Sequence, residues 1–251
     1  MKDYRAVVQA NREIAEGIFE LTLSLPEEVK VRAGQFAEIS AGGAHLLRRP
    51  FAVCKAEGKE ITVCFQRRGE GTRLLASTGA GERLNVLLPL GNGFYLREEE
   101  KKIALVGGGV GIFPMISVLR EYAEKKEISA YIGFRSAFAV CGLEELNRAS
   151  RLVAVTDDGS YGEKMNAVQA FERDLHRGLR PDVALACGPL PMLRALKGVL
   201  EREKIPGFVS LEERMGCGIG ACLVCVCNLT NGEHARVCRD GPVFAVGDVE
   251  L

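Results

Sequence analysis

Residues 213–240 read ERMGCGIGACLVCVCNLTNGEHARVCRD, and their reading governs the rest of the chain. Cys217, Cys222 and Cys225 form a C-x4-C-x2-C run, and Cys238 follows Cys225 after twelve intervening residues. A [2Fe-2S] rhomb needs two thiolates on each iron, and three close cysteines with a distant fourth is one of its ligand spacings. Gly216, Gly218 and Gly220 alternate with Cys217, Ile219 and Ala221. They free the backbone to curl and to aim N–H groups at cluster sulfides. A hairpin turning at Asn231 and Gly232, between extended stretches at 224–229 and 235–237, is expected to return Cys238 to the loop. Zinc is the competing ion, but its ligands typically come as two close pairs, whereas here three cluster and one is remote. Cys227 would alternate with Val226 on a strand and reads as a small apolar filler.

A chain of 251 residues is comfortable for two domains plus a small cluster module. Lys plus Arg and Asp plus Glu both total 33, so no basic field exists to hold nucleic acid or anionic lipid. The first residues lack the apolar core of a signal peptide, and nine cysteines, an odd number, suit a reducing compartment; a cytoplasmic location is expected. The longest apolar run, residues 103–119, is broken by glycines and Pro114, and no membrane span is expected.

Up to about Phe94, apolar residues recur at period two, as in Phe19, Leu21, Leu23 and Leu25 and again in Ile61, Val63 and Phe65. Short strands separated by turn signals such as Ala41, Gly42 and Gly43, or Glu57, Gly58 and Lys59, imply an antiparallel barrel. One exception is Gln66, Arg67 and Arg68, which run through Gly69, Gly71 and Thr72 into a short helical stretch at 73–76. A helix start preceded by glycines favours a pyrophosphate. Arg48 and Arg49 precede Pro50, Phe51 and Ala52, a stretch that proline keeps extended, so an arginine there is placed to pair with a flavin phosphate while the following backbone lines the ring. The charged residues 97–102 then mark a boundary, giving expected domains at 1–97, 98–208 and 209–251.

Residues 103–106 form an apolar strand entering Gly107, Gly108, Gly109 and Gly111, followed by a helical pattern at Met115, Leu119 and Tyr122. Ile112 replaces the third glycine of the dinucleotide fingerprint, but close approach and phosphate binding at a helix start remain available. Further strands at 130–134, 152–156 and 183–186, with a helix at 167–175, argue a parallel, doubly wound sheet. Its strand ends carry Gly107 to Gly111, Arg135 and Ser136, Asp157 and Asp158, and Cys187, Gly188 and Pro189, the side on which such sheets bind ligands. An acid to hold a ribose 2′-hydroxyl is expected after the second strand; Arg135 stands there instead and leaves NAD and NADP both open. His45, His176 and His234 read as surface residues.

Barrel, nucleotide domain and cluster module, in that order, resemble the ferredoxin reductase superfamily. The motifs RRPFAV, LVGGGVGIFPM, TDDGSYG, CGPLPML, SLEERMGCGIGACLVC and VCRDGPVF resemble the electron-transfer subunits of NAD-dependent dihydroorotate dehydrogenases. The resemblance implies FAD lined by Arg49, Pro50, Phe51 and Ala52 with Gln66, Arg67, Arg68, Gly71 and Thr72. It also implies Cys217, Cys222, Cys225 and Cys238 as cluster ligands, while the strand ends give Gly107, Gly108, Gly109, Gly111, Asp157, Cys187, Gly188 and Pro189 as the expected NAD site. Ala52 stands where the family often has serine, and Met165 where it tends to have glycine. The resemblance also implies a partner, an FMN-containing catalytic subunit oxidising dihydroorotate to orotate in pyrimidine synthesis, in a two-plus-two heterotetramer. Electrons would run from that FMN through the cluster and FAD to NAD⁺. Two further readings stay open: an NADP-linked ferredoxin or sulfide reductase subunit, and a non-enzymatic cluster-based redox sensor.

Overall fold

The period-two alternation of the first ninety residues becomes six strands in a computed structural model, which describes residues 1–42 and 46–251. These are β1 (Lys2–Ala15), β2 (Ile18–Ser24), β3 (Phe36–Ser40), β4 (Arg48–Glu57), β5 (Glu60–Gln66) and β6 (Arg83–Leu90). The turn expected at Gly43 and the residue His45 lie outside the described residues. All six strands pair antiparallel and close into a barrel in the order β1-β2-β5-β4-β3-β6. Leu21, Leu23, Ile39, Val63, Val86 and Leu88 fill its interior. Helix α1 (Glu70–Ser77) buries Leu75 in the same core, and its C-terminal end is held by Asn11, whose side-chain amide donates to the carbonyls of Leu75 and Thr78 at 2.8 and 2.9 Å.

The second unit alternates strand and helix: β7 (Lys102–Gly108), α2 (Ile112–Tyr122), β8 (Glu127–Phe134), α3 (Leu143–Leu146), β9 (Arg151–Thr156), α4 (Ala167–His176), β10 (Val183–Cys187), α5 (Leu190–Glu203) and β11 (Gly207–Ser210). Strands β11, β10, β7, β8 and β9 are parallel neighbours in that order. The run β7-β8-β9 proceeds one way from β7 and β10-β11 the other, so the strand order reverses between β7 and β10. Ligands of open α/β sheets sit beyond the strand ends at such a switch point. Every residue of α2 from Ile112 to Leu119 is buried, because the helix is packed between the sheet and barrel strand β4. Each such apolar side chain contributes about 1.5–3 kcal/mol on burial, so α2 fixes the barrel against the sheet.

The C-terminal segment holds the expected hairpin, β12 (Val226–Asn228) with β13 (His234–Arg236), turning through Gly232 at φ +84°. It then adds β14 (Val243–Ala245), which pairs antiparallel with β11 as an edge of the nucleotide sheet. Asn92, just past the barrel, holds this return: its side chain donates to the Val243 carbonyl at 2.8 Å and accepts from the Val243 N–H at 3.1 Å. The cluster segment is therefore tied to both other units. Among the described residues no helix is long and apolar enough to cross a membrane.

Candidate functional site

Side chains alternate across a strand, so Phe36 on β3 and Pro50 and Ala52 on β4 face out of the barrel together. They border a cavity of about 280 Å³ that also takes in Phe51, Cys64, Phe65, Gln66 and Arg68 from the barrel. Its other walls are Val110, Phe113 and Pro114 of the nucleotide unit, Cys187 and Ser210 at two strand ends, and Glu212, Glu213 and Met215 leading into the cysteine loop. All three segments of the chain thus meet at one apolar slot with a few polar groups. Phe51 and Phe65 lie with ring centres 5.2 Å apart and planes tilted by 36°, an aromatic part of that wall.

The expected flavin residues divide in two. Pro50, Phe51, Ala52, Gln66 and Arg68 line the cavity, whereas Arg49 and Gly71 meet outside it. A Cβ at Gly71 would stand 2.5 Å from the Arg49 guanidinium, so that cation lies directly on the first turn of α1. A fixed guanidinium on a helix N-terminus is what a pyrophosphate requires, and the glycine is what lets it lie there. Thr72 is used differently: its hydroxyl accepts from the N–H groups of Arg68 and Gly69 and donates to the Gly69 carbonyl, bracing the helix start. Arg67 is placed over the Phe19 ring at 5.4 Å.

At the sheet, Gly107, Gly108, Gly109 and Gly111 come against Cys187, Gly188 and Pro189 at the switch point. A Cβ at Gly111 would meet the Cys187 carbonyl and stand 2.6 Å from the Gly188 nitrogen, and one at Gly108 would stand 2.7 Å from the Met192 sulfur. Their glycines exist for this close approach. Asp157 is exposed at the end of β9, two strands from β7 and outside the cavity. Its neighbour Asp158 accepts from the N–H and hydroxyl of Ser160, which hold its carboxyl below the ordinary range. Met165 donates its N–H to the Thr156 carbonyl at 3.2 Å.

In the cysteine loop the thiols gather as two pairs, Cys217 with Cys222 and Cys225 with Cys238. Two irons with two thiolates each call for this grouping. The Gly220 N–H donates to the Cys238 sulfur at 3.1 Å, the Ala221 N–H to that of Cys217 at 3.3 Å, and the Cys238 N–H to that of Cys225 at 3.4 Å. Burial opposes ionisation of Cys217, but the N–H groups of Ile219, Cys222 and Ala221 and the Cys222 side chain together carry it down to about 6. Burial and the Cys225 contact push Cys238 up to about 12. A soft donor set with amides aimed at sulfur fits a [2Fe-2S] group. Cys227 is buried in the core, as its filler reading requires. His234 is exposed and meets Asn228 at 3.0 Å, and His176 is exposed at the end of α4.

Two groups escape a reading of the sequence. Glu38, 1% exposed, has both carboxyl oxygens buried without a hydrogen-bond partner and packs on Gly218, where a Cβ would stand 2.8 Å from its Cγ. Burial pushes it up to about 7, with Arg48 opposing and Cys217 adding to the rise. Glu212 opens on the cavity, and the protein mass around its carboxyl raises it above the ordinary 4.5 with Arg68 opposing. The signal for Glu212 is its position, five residues before Cys217, at the exit of a four-residue strand too short to show a period.

A family model described as the iron-sulfur cluster binding domain of dihydroorotate dehydrogenase B matches residues 212–250, and one described as an oxidoreductase NAD-binding domain matches residues 105–198. The chain is 40% identical over 258 residues, covering 98% of both chains, to the dihydroorotate dehydrogenase B (NAD(+)) electron transfer subunit of Geobacillus kaustophilus (strain HTA426). It is 38% identical over 264 residues, covering all of both chains, to that of Bacillus cereus (strain Q1). Among solved structures it matches a chain of the NADH-dependent reduced ferredoxin-NADP oxidoreductase with a TM-score of 0.87 and 25% identity, covering 98% of this chain and 89% of that one. Phthalate dioxygenase reductase shares the fold, with a TM-score of 0.68 and 18% identity over 97% of this chain and 95% of that one. With that identity over the full length, the chain belongs to the family of electron transfer subunits of NAD-dependent dihydroorotate dehydrogenase B.

Proposed function

We propose that this chain takes electrons from an FMN-containing partner subunit that oxidises dihydroorotate to orotate, and delivers them to NAD⁺. The observation that carries the reading is the single cavity bordered by barrel strand β4, the switch-point strand end at Cys187 and the approach to the cysteine loop at Met215. An FAD held there would supply the interconversion of two-electron hydride transfer and one-electron transfer, and a [2Fe-2S] cluster held by the four cysteines would supply one-electron transfer.

The residues do the holding. Arg49 and the α1 start bind the flavin pyrophosphate; Pro50, Phe51, Ala52, Gln66 and Arg68 orient the ring and exclude water from it. Gly107 to Gly111 admit the NAD pyrophosphate at the start of α2, with Cys187, Gly188 and Pro189 opposite and Asp157 towards the far edge. Cys217, Cys222, Cys225 and Cys238 hold the two irons. The relatives are named electron transfer subunits, which supports a partner that carries the dihydroorotate site. Cys222 is exposed, and so are Ile219, Leu223, Val224 and Val226 in the same segment, an apolar surface of the kind a partner covers. We take the units as 1–97, 98–208 and 209–251, the complex as a two-plus-two heterotetramer, and its place as the cytoplasm.

The test is purification of the tagged chain under anaerobic conditions with whatever accompanies it, followed by assay of dihydroorotate-dependent NAD⁺ reduction. Activity in the complex, lost when the partner is stripped, is expected. Flavin and cluster present without that activity would refute the assigned partner chemistry. Parallel rates with NADH and NADPH decide the nucleotide question raised by Arg135.

A further inference from the structure

Cys54 on β4 and Cys64 on β5 lie side by side in the barrel wall, with sulfurs 3.5 Å apart. The pairing of these strands shifts register between Val53 and Lys55, a bulge that re-aims Cys54, and its thiol then donates to the Thr62 carbonyl at 3.1 Å. Cys54 is 2% exposed and Cys64 is buried, yet Cys64 borders the cavity read above as the flavin site. The two sulfurs are therefore in contact with each other; Cys64 borders that cavity, and Cys54 borders a second cavity lined by Val31, Lys55 and Arg120.

We infer that Cys54 and Cys64 are a dithiol–disulfide couple that exchanges two electrons with the flavin. The inference rests on the assignment of that cavity to FAD. Two S–H bonds break and one S–S bond forms; the electron pair and one proton pass to oxidised FAD, and the other proton leaves. The cross-strand neighbour of Cys64 on β2 is Glu20, whose carboxylate is paired with Arg12 and Lys55. A proton acceptor is required, because the Cys54 contact and burial keep the Cys64 thiol strongly protonated. The couple makes the chain a store for two electrons more than flavin and cluster hold, placed on the barrel side of the cavity. A third thiol, Cys141, lies in the same buried group on the nucleotide side and has no sulfur within bonding range in the structure.

The experiment uses the intact chain with its flavin and cluster. The oxidised protein is quenched in acid, alkylated with a maleimide near neutral pH under denaturing conditions, digested, and searched by mass spectrometry for the peptide pair joined through Cys54 and Cys64; a second sample is first reduced with NADH. Anaerobic reductive titration counts electrons in wild type and in Cys54→Ala, with Cys141→Ala as control. A joined pair in the oxidised chain that disappears after NADH, and a titration requiring two more electrons in wild type and Cys141→Ala than in Cys54→Ala, is the expected result. Both cysteines fully alkylated in the oxidised, flavin-replete chain would overturn the couple and leave the flavin assignment standing. A chain whose absorption shows no flavin would overturn both. The peptide mapping needs no variant, so a poorly folding Cys54→Ala does not weaken the test.

Discussion

Replacing Gly111 by alanine tests the close contact of the two strand ends on which the nucleotide site depends. Gly111 has φ −64° and ψ −7°, values any residue adopts, so the substitution adds no backbone strain. What it adds is one methyl group standing 2.6 Å from the Gly188 nitrogen and against the Cys187 carbonyl, where ordinary contact begins near 3.4 Å. Both opposing atoms are backbone and cannot swing aside, so the turn after β7 and the loop after β10 must part by roughly 1 Å, a displacement of a positioning element that costs about a hundredfold in rate. Stopped-flow reduction of the bound flavin by NADH is the assay, with visible and electron paramagnetic resonance spectra of the cluster as the control. A hundredfold loss in NADH-driven reduction with cluster spectra unchanged is expected. Wild-type rates would mean that the two strand ends do not jointly hold the nucleotide.

Cys222→Ser should remove the cluster absorption and abolish dihydroorotate-driven NAD⁺ reduction in the complex while NADH still reduces the flavin; unchanged turnover would refute the assigned ligand set. Arg49→Ala should weaken FAD binding about ten- to hundredfold, the worth of a charge-assisted contact, measured by fluorescence on flavin release, with Arg49→Lys recovering only part. Glu38 gives a pH prediction. Its folded-state value of about 7 lies above the ordinary 4.5, so the folded chain is favoured below about pH 4.5 and loses that advantage as pH rises towards 7. Glu38→Gln should abolish this loss, gaining about 3 kcal/mol on wild type between pH 4.5 and 8 in urea unfolding; parallel pH profiles would refute the burial argument.

The elements legible in the sequence are those whose signal is local. The C-x4-C-x2-C run with its alternating glycines, the period-two strands of the barrel and the glycine turn after residue 106 each announce themselves within a dozen residues. Less legible are β11 and β14, four and three residues long, which carry no period and exist because the neighbouring strand offers an edge. The flavin cavity shows the same division. Phe51 and Gln66 were found from motifs, whereas Glu212 and Met215 reach it only because β11 ends there. Thr72 illustrates the converse, since a hydroxyl at a helix start can serve a ligand or the helix itself, and only three-dimensional placement distinguishes the two. Glu38 has no sequence signature at all: a lone acid at an alternating position looks solvent-facing until the cysteine loop folds over it.

The antiparallel strand β14 completes the nucleotide sheet from a segment beyond the cysteine loop. Until Val243–Ala245 docks, β11 presents open N–H and C=O groups along its outer side, a template for another chain. The cluster loop lies between β11 and β14 in the chain, so closing this edge also closes the loop around the four thiols. Edge protection thus depends on Asn92 and on the segment beyond the cysteine loop, which hold β14 against β11.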